Sequence, residues 1–428
     1  MKRVLLSLVL IVLVVGIALM GCAKPAPAPA PAPTPATEPP KTLDIGVMAP
    51  LTGPAAHLGT NIKNGILLAI DDQNEGILMA GGQNKDGGVT IAGQKYMLNG
   101  IVFDDKLDLV SSKNIAEELV FDKKVKVIAG PFLFDAVGAQ TVTEPNKVIF
   151  IAVTADVGGL GSPNKPYSFF CSGGAYECTT GGGAYIQKFY PDLKTVLTIN
   201  PDLPSAPAWL KSAETLFPRY GFEWLGSEKF PSDIKDFTPV ITRALAKKPD
   251  FIDTGGTAGD MGGGCALLIK QLREAGYKGV IWARTVPPIP VMMEIVPKQY
   301  LTKIVTNDIL ADSPIVSQAY KDMHKRYVAK FGEEPIDIVG EMYNGVKAFF
   351  ELLDGQDTMD TTVWMQGFAK HRWPGMWGYE SCWVGKPVYG VDRTLMWGFW
   401  VSEYVDGKPE QKWAAPVPYD LFGECGSK

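Results

Sequence analysis

The chain has 428 residues, of which 20% are charged, and it carries a formal net charge of -5 at pH 7. This length exceeds one ordinary hydrophobic core and predicts two lobes. The acidic balance argues against nucleic acid as a partner, and the three histidines are too far apart in the sequence for a zinc site.

The N-terminus has the features of a secretory signal. Lys2 and Arg3 precede an apolar run over residues 4–20, and the segment 1–22 ends in Leu-Met-Gly-Cys. This ending resembles the lipobox of bacterial lipoproteins, which implies that Cys22 is lipidated. A single membrane-spanning anchor is the alternative, because the apolar run is near the lower length limit for a span. Residues 23–41 are rich in Pro and Ala and predict an extended linker.

Cysteine usage leaves the disulfide pairing open. Outside the cytoplasm disulfides are permitted, and Cys171 and Cys178 are the pair closest in sequence. An odd number after residue 22 leaves at least one thiol free or paired between chains. The five cysteines concerned are Cys171, Cys178, Cys265, Cys382 and Cys425.

Strand and helix patterns alternate through the chain. Residues 45–49 predict a buried strand, and a Gly/Pro loop then leads to a helix capped near Thr60. Further strands are predicted at 98–103, 125–129, 148–153, 195–199, 251–254 and 280–283. The helices between them are predicted near 111–120, 137–145, 206–220, 237–245 and 261–275. This alternation with short connections predicts an α/β fold with doubly wound parallel sheets.

Three other stretches carry specific expectations. Residues 167–183, rich in Gly and aromatic residues, predict a loop. Ser313 and Pro314 indicate the start of a helix. Residues 384–407 predict two strands joined at Asp392-Arg393, with a tight turn at Asp406-Gly407.

Several motifs resemble one known family, the branched-chain amino-acid (Leu/Ile/Val) binding proteins, which are extracytoplasmic solute receptors of ABC importers. The opening motifs are APLTGPAAHLG at 49–59 and LAIDDQN at 68–74, with others at 248–250, 271–276, 331–335 and 343–346. The resemblance covers about residues 43–408. It implies the type I periplasmic-binding-protein fold, in which two doubly wound lobes are joined by a three-segment hinge with a ligand cleft between them. Lobe one would then hold 42–172 plus 284–393, and lobe two 173–283 plus 394–428.

The resemblance also implies ligand residues in the loops that follow the strands. Asp260 matches an acidic residue that pairs with a ligand ammonium, although a helix N-cap is the alternative. Thr154, Ala155 and Asp156 lie where the family holds a ligand carboxylate, with an ordinary turn as the alternative. Asp156 falls near the usual hydroxyl position, where its own carboxylate would repel an anionic ligand.

Other positions in these loops depart from the family. Leu133 and Phe134 stand where small hydroxyl residues are common, and they would narrow the cleft and make it apolar. Ser205 lies nearest the position of a ligand-contacting Tyr in many relatives. His57 is in the first loop and is either a ligand contact or a structural or solvated residue. Arg284 is a candidate for binding a carboxylate bidentately, or for an ion pair at the surface or between lobes.

The aromatic run WPGMWGYESCW, residues 373–383, predicts either core packing or a surface for stacking a ring-shaped ligand. The chain contains no Gly-x-Ser-x-Gly, no Walker loop and no His pair, so an enzyme with a nucleophile–base set or a metal centre is not expected. No cofactor is expected either.

The sequence therefore predicts a high-affinity, membrane-anchored lipoprotein on the extracytoplasmic side. Its partners would be a small amino-acid-like solute, the membrane through its lipid anchor, and the permease and ATPase subunits of an ABC importer. Two alternatives stay open. One is a receptor for aromatic acids, amides or other small apolar solutes in the same transport role. The other is a ligand-sensing lipoprotein that is not coupled to transport.

Overall fold

The computed structural model describes residues 40–53, 55–84, 86–155, 159–203, 205–231, 234–255, 264–284, 288–395, 399–415 and 418–425. The signal segment, nearly all of the linker, Cys22, Asp156 and Asp260 therefore lie outside the described residues. Within these ranges no helix is both long and apolar enough to cross a membrane.

The strands are, in chain order, β1 (Lys41–Ala49), β2 (Val89–Ile91), β3 (Gln94–Asp104), β4 (Val127–Ala129), β5 (Ile149–Ala152), β6 (Ser168–Phe170), β7 (Thr195–Pro201), β8 (Glu223–Phe230), β9 (Phe251–Asp253), β10 (Val280–Ala283), β11 (Ile304–Thr306), β12 (Arg372–Pro374), β13 (Glu380–Val384), β14 (Thr394–Leu395), β15 (Trp400–Val405) and β16 (Lys408–Ala414).

The α-helices are α1 (Ala56–Asn74), α2 (Leu109–Glu117), α3 (Leu133–Thr143), α4 (Ala175–Phe189), α5 (Ala206–Leu216), α6 (Thr238–Ala246), α7 (Gly264–Glu274), α8 (Ile289–Ile295), α9 (Gln318–Phe331), α10 (Asp337–Leu353), α11 (Thr361–Phe368), α12 (Lys386–Tyr389) and α13 (Tyr419–Phe422). Shorter turns of π and 3₁₀ helix occur at Glu118–Asp122, Phe217–Tyr220 and Lys298–Tyr300.

Two sheets organise the described chain. The first has the order β12-β13-β14-β6-β5-β4-β1-β3-β2, and the second has the order β16-β15-β11-β10-β9-β7-β8. The central strands of both sheets pair in parallel. Strands such as β4, β5 and β10 are buried along their whole length, as expected where helices cover both faces of a parallel sheet. The predicted fold of two doubly wound α/β lobes is confirmed.

The first βα unit follows its sequence pattern, but its helix starts earlier than predicted. The apolar face of α1 includes Ile62, Ile66 and Ile70, all buried. α1 begins at Ala56 rather than near Thr60, and no side chain caps its first turn.

The chain crosses between the sheets three times, and two crossings lie away from the expected positions. β11 pairs with β10 and β15, so lobe two continues to about residue 306 and the boundary at 284 is corrected. β14 pairs with β6, so the last crossing falls after Leu395 rather than after 393. Residues 418–425 contact both lobes, and Asp420 pairs with Arg219 of lobe two at 3.1 Å. The N–H of Gly385 donates to Phe422 O at 2.9 Å, which joins this segment to the end of β13.

The glycine-rich stretch predicted as a loop contains a strand and most of a helix. β6 lies within it, and α4 begins at Ala175. A Cβ added at Gly181, Gly182 or Gly183 would collide with an aromatic ring: those of Phe399, Trp282 and Tyr220, respectively. The missing side chains let three rings from distant parts of the chain pack directly on this helix, which offsets the poor helix propensity of glycine.

Two expectations near the C-terminus had different outcomes. The helix predicted from Ser313 and Pro314 begins at Gln318, where the Ser317 hydroxyl accepts the N–H of Tyr320 as an N-cap. The tight turn at Asp406-Gly407 is confirmed: both residues have positive φ, 49° and 85°, and they join β15 to β16 in a hairpin.

Buried sulfur and indole groups complete the core. Cys382 and Cys425 form a disulfide, whereas Cys171, Cys178 and Cys265 are buried thiols that take no part in it. The pair closest in sequence is thus not a disulfide. Within the run 373–383, the side chains of Trp373, Trp377 and Trp383 are buried, as the core-packing alternative predicts.

Candidate functional site

The loops that follow the parallel strands lie at one edge of each sheet. β1, β4, β5 and β6 are parallel neighbours, so residues 50–53, 130–132, 153–155 and 171–174 leave the first sheet at the same edge. In the second sheet, β7, β9 and β10 are parallel neighbours, and the residues that follow them at the same edge are 202–203, 254–255 and 284. Ligands of open α/β sheets bind at this edge, so the candidate site is built from these loops.

Thr154 offers a hydroxyl group without a partner at this edge. Its side chain is 8% exposed, and its Oγ1 is buried with no hydrogen bond to any described residue. The backbone around it is held on both sides: the N–H of Val153 donates to Pro131 O at 3.1 Å, and the N–H of Ser172 donates to Val153 O at 2.8 Å. A buried polar group left unpaired costs free energy, so Thr154 gains from a ligand that bonds to it.

Ala155 is buried next to Thr154. Its side chain packs in an apolar cluster with Phe150 and Leu160, and its carbonyl oxygen accepts the N–H of Gly161 at 3.1 Å. The carbonyl is thus used in a local turn, and the ligand contact expected from the backbone N–H groups stays a prediction.

The loop after β4 presents apolar side chains, as expected. Leu133 and Phe134 are half-buried at the start of α3. Leu133 has a φ of 53°, in the left-handed region that a residue with a side chain rarely adopts. The Asp135 carboxylate accepts the N–H of Phe132 at 2.9 Å and holds this turn in place. Burial raises the pKa of Asp135 well above its usual value, and the neighbouring Asp105 raises it further.

The loop after β1 is held by an acid that sequence reasoning did not single out. Asp104, the last residue of β3, accepts the N–H of Leu51 at 2.8 Å and the hydroxyl of Thr52 at 2.6 Å. Partial burial works to raise the pKa of Asp104, but these hydrogen bonds outweigh it and leave the pKa below its usual value. The signal in the sequence was an acidic pair, 104–105, directly after a strand.

His57 is exposed on the first turn of α1. Its Nδ1 lies 3.0 Å from Nδ2 of Asn61, one turn along the same helix. Asn61 also accepts the hydroxyl of Tyr327 at 3.1 Å, so His57 joins a network that links α1 to α9. Its contacts within the described chain fit the structural alternative.

In lobe two, Ser205 is 6% exposed and precedes α5. Its carbonyl oxygen accepts the N–H of Ala208 at 3.2 Å, and its hydroxyl does not cap the helix.

Arg284 does not fill the role expected of it. The side chain is 0% exposed, and its Nε and Nη2 each lie 2.6 Å from an oxygen of Asp253 on the neighbouring strand β9. Its Nη1 donates to the hydroxyls of Thr179 and Ser212. Arg284 does bind a carboxylate bidentately, but that carboxylate belongs to the protein. The expected ligand role is corrected, and the pair is neither at the surface nor between lobes, because both side chains are fully buried and both partners lie in lobe two.

A cavity of about 370 Å³ is lined in part by Asp308, Asp312, His324, Glu334 and Asp337. Asp308 and Asp312 follow β11, which is parallel to β10 and ends at the same edge of the second sheet. Burial raises the pKa of Asp308 to about 7. His324 Nε2 lies 2.7 Å from Glu334 Oε2. Among the described residues, no group of three or more His, Cys, Asp or Glu side chains is arranged to hold a metal ion.

Comparison with known proteins identifies the family. A family described as periplasmic binding protein matches residues 42–379, well over half of the chain. The chain belongs to the periplasmic binding protein family. Similar curated proteins include a Leu/Ile/Val-binding protein of Rhizobium johnstonii and a Leu-, Ile-, Val-, Thr- and Ala-binding protein of Pseudomonas aeruginosa. The resemblance to branched-chain amino-acid binding proteins is therefore confirmed.

These relatives are distant and are matched only in part. The Rhizobium protein is 25% identical over 240 residues, which cover 56% of this chain and 60% of the relative. The Pseudomonas protein is 25% identical over 236 residues, which cover 55% of this chain and 58% of the relative. The chain thus spans about three fifths of the length of the curated relatives it matches.

Solved structures share the fold over most of the length of this chain. The Streptococcus pneumoniae branched-chain amino acid transporter substrate binding protein, in complex with isoleucine, has a TM-score of 0.68 at 19% identity, covering 86% of this chain and 98% of that one. A solute binding protein of an ABC transporter from Rhodopseudomonas palustris, in complex with 3,4-dihydroxybenzoic acid, has a TM-score of 0.67 at 23% identity. The match covers 89% of this chain and 99% of the Rhodopseudomonas chain. At these identities the match establishes the fold alone.

Proposed function

We propose that the protein is an extracytoplasmic solute receptor that captures a small amino-acid-like solute and delivers it to the permease of an ABC importer. The observation that carries this proposal is the buried, unpaired hydroxyl of Thr154, at the ligand-binding edge of lobe one in a member of the periplasmic binding protein family. The amino-acid-binding relatives support the choice of solute class.

In this proposal the ligand contacts come from both lobes. The hydroxyl of Thr154 and the backbone N–H groups of Ala155 and Asp156 bind the carboxylate end from lobe one, and Asp260 binds the ammonium from lobe two. The side chains of Leu133 and Phe134 form the apolar wall of the pocket. His57 and Ser205 complete the proposed set at the first loop and at the start of α5. Arg284 is omitted because Asp253 occupies its guanidinium group.

The mechanism is equilibrium binding without chemistry, so the protein is not an enzyme and needs no cofactor. Contacts from one ligand to both lobes favour the closed form, because a ligand shifts a two-state equilibrium only through differential affinity. The closed form docks on the permease, and separate subunits hydrolyse ATP. Lipidation of Cys22 anchors the receptor, and the linker over residues 23–41 sets its reach.

A second candidate ligand class is aromatic acids. The apolar side chains of Leu133 and Phe134, in place of small hydroxyl residues, favour it, and so does the similar Rhodopseudomonas protein in complex with 3,4-dihydroxybenzoic acid. The transport role is the same in both cases.

A thermal-shift screen of the full chain tests both candidates, because a ligand that binds the native state raises its melting temperature. Leucine, isoleucine and valine form one arm, and benzoic acids form the other. A shift in the first arm supports the amino-acid receptor, and a shift only in the second supports the aromatic-acid receptor. No shift in either arm contradicts both. X-ray scattering with the active ligand should show a smaller radius of gyration if the lobes close.

Thr154→Val tests the residue that carries the proposal. We expect affinity for the active ligand to fall about tenfold or more, because one hydrogen bond to a charged group is lost. Thr143→Val is the matched control: its hydroxyl is also buried and unpaired among the described residues, but it lies at the other end of α3, about 15 Å from Leu133. Calorimetric titration of both variants checks this prediction, and equal affinities would contradict it.

A further inference from the structure

A second cavity, of about 730 Å³, lies on lobe one between the end of α11 and the loop around α12. We call it the basic cavity. Its ionisable lining residues are Lys370, His371, Arg372, Lys386, Asp392 and Arg393. Four cationic side chains and one carboxylate meet here in a chain whose net charge is -5, so the concentration of positive charge is local. The volume lies within the range of about 300–1,000 Å³ typical of small-molecule sites.

Arg393 is held in a fixed position without a carboxylate on its guanidinium. Its Nε donates to Pro166 O at 3.1 Å, Nη1 donates to Asp392 O at 2.8 Å, and Nη2 lies 3.8 Å from the thioether sulfur of Met365. The guanidinium also packs over the ring of Phe169, 5.1 Å from its centroid. These acceptors are neutral, so the half-buried positive charge is not compensated by direct contact with an acid.

Two ammonium groups of the basic cavity are free. Lys370 and Lys386 are exposed, and neither forms an ion pair with any described residue. The Asp392 carboxylate accepts the backbone N–H of Lys386 at 2.9 Å, which ties this acid to its own loop. Arg372 differs, because its Nη1 lies 3.0 Å from Glu380.

Trp383 adds a neutral donor. It lines the basic cavity, its side chain is 3% exposed, and its Nε1–H has no acceptor in the described part of the chain. A buried indole N–H normally finds a partner. The orphaned donor is an observation independent of the charges, and a ligand acceptor that reached it would satisfy a group that no described residue satisfies.

We propose that the basic cavity binds a phosphoryl group, at a site distinct from the solute site at the strand ends. Glu380 pairs with Arg372, and Asp392 and Glu144 act electrostatically on Arg393, which leaves the ammonium charges of Lys370 and Lys386 in excess. A phosphate monoester carries about -1.5 to -2 charges at pH 7, which matches this excess better than a single carboxylate does. Lys and Arg side chains bind phosphate through charge-assisted hydrogen bonds.

The phosphoryl group belongs either to a soluble phosphate or to the headgroup of an anionic lipid. Calorimetric titration of the full chain with inorganic phosphate tests the first source. Cosedimentation with vesicles that contain phosphatidic acid, whose headgroup is a phosphate monoester, against neutral phosphatidylcholine vesicles, tests the second. Saturable phosphate binding supports the proposal with a soluble ligand. Binding to the phosphatidic acid vesicles alone supports it with a lipid ligand. Binding to neither overturns it.

Paired variants separate the site from general electrostatics. Lys370→Ala with Lys386→Ala should weaken binding of the active probe about tenfold or more, because both free ammonium groups are removed. Lys235→Ala with Lys408→Ala is the matched control, since it removes the same net charge from exposed positions outside the cavity. An equal loss in both pairs overturns the proposal, as does no loss in the cavity pair. Solute binding at the strand ends should stay unchanged, so failure here is distinguishable from failure of the proposed transport role.

Discussion

At the residue scale, the pair formed by Arg284 and Asp253 is buried in the middle of lobe two. Asp253 also accepts the hydroxyl of Thr198 at 2.8 Å, and the Arg284 guanidinium packs 5.3 Å from the ring centroid of Trp209. Both charges are fully out of water and depend on each other for solvation. A pair of this kind adds little net stability, but removing one partner leaves an uncompensated buried charge.

Arg284→Ala should therefore lower the free energy of unfolding by about 3–5 kcal/mol. Arg243→Ala is the control from the same lobe: Arg243 pairs with Glu228 at 2.8 Å, but its side chain is 52% exposed, so we expect a loss of about 1 kcal/mol or less. Urea denaturation of both variants measures the difference. Similar losses would contradict the prediction.

Also at the residue scale, Thr154 and Thr143 have similarly buried hydroxyls but different positions in the fold. Both hydroxyls are buried and have no hydrogen bond to any described residue, yet only Thr154 lies where the strands of lobe one end. An unpaired polar group thus indicates a ligand site only when its place in the fold gives a ligand access.

At the element scale, α4 depends on its partners more than on its own sequence. Three consecutive glycines lie in its middle, and each one receives an aromatic ring. Such a helix forms because tertiary packing outweighs propensity, which is the usual source of helix stability in proteins.

Gly182→Ala should destabilise the protein by about 1–3 kcal/mol or more, because the added methyl group would overlap the indole of Trp282, which is itself buried. Gly367→Ala is the opposite control: this glycine lies in α11, and its nearest foreign atom, on Leu352, is 3.8 Å from an added Cβ. Alanine there should raise stability by up to about 1 kcal/mol through helix propensity. Thermal unfolding of the two variants should show shifts of opposite sign.

At the scale of the whole molecule, buried carboxyl groups determine how stability changes with pH. Burial raises the pKa of Asp308 to about 7 and that of Asp105 to about 6. It also raises the pKa of Asp135 and of Glu341 well above their usual values. A carboxyl whose pKa is raised on folding stabilises the native state below its unfolded pKa, and that contribution is lost as pH rises through the folded pKa.

The protein should accordingly be more stable at pH 5 than at pH 8, with about 2 kcal/mol of the difference coming from Asp308. Below about pH 4 the trend reverses, because carboxyls with lowered pKa values, such as Asp104 and Asp250, become protonated. Denaturation midpoints across this range measure the effect. Asp308→Asn should flatten the slope between pH 5 and 8, and an unchanged slope would contradict the assignment.

Predictions that depend only on residues close together in the sequence agree well with the structure. The strand at Val280–Ala283 matches its predicted range, and the turn at Asp406-Gly407 closes the hairpin as predicted. Both follow from interactions within a few residues: an apolar run of strand length, and a dipeptide that adopts positive φ. The motif resemblance likewise identified the family, because the order of its motifs persists where identity is low.

The sequence by itself thus determined the α/β alternation, the family and the loops that form the candidate site. Tertiary structure decided the partner of Arg284, since Asp253 is 31 residues away in sequence but on the adjacent strand. It also decided the helix at the glycine run and the disulfide between Cys382 and Cys425. These features depend on which residues, distant in sequence, the fold brings together. Sequence periodicity and local propensity do not predict such contacts.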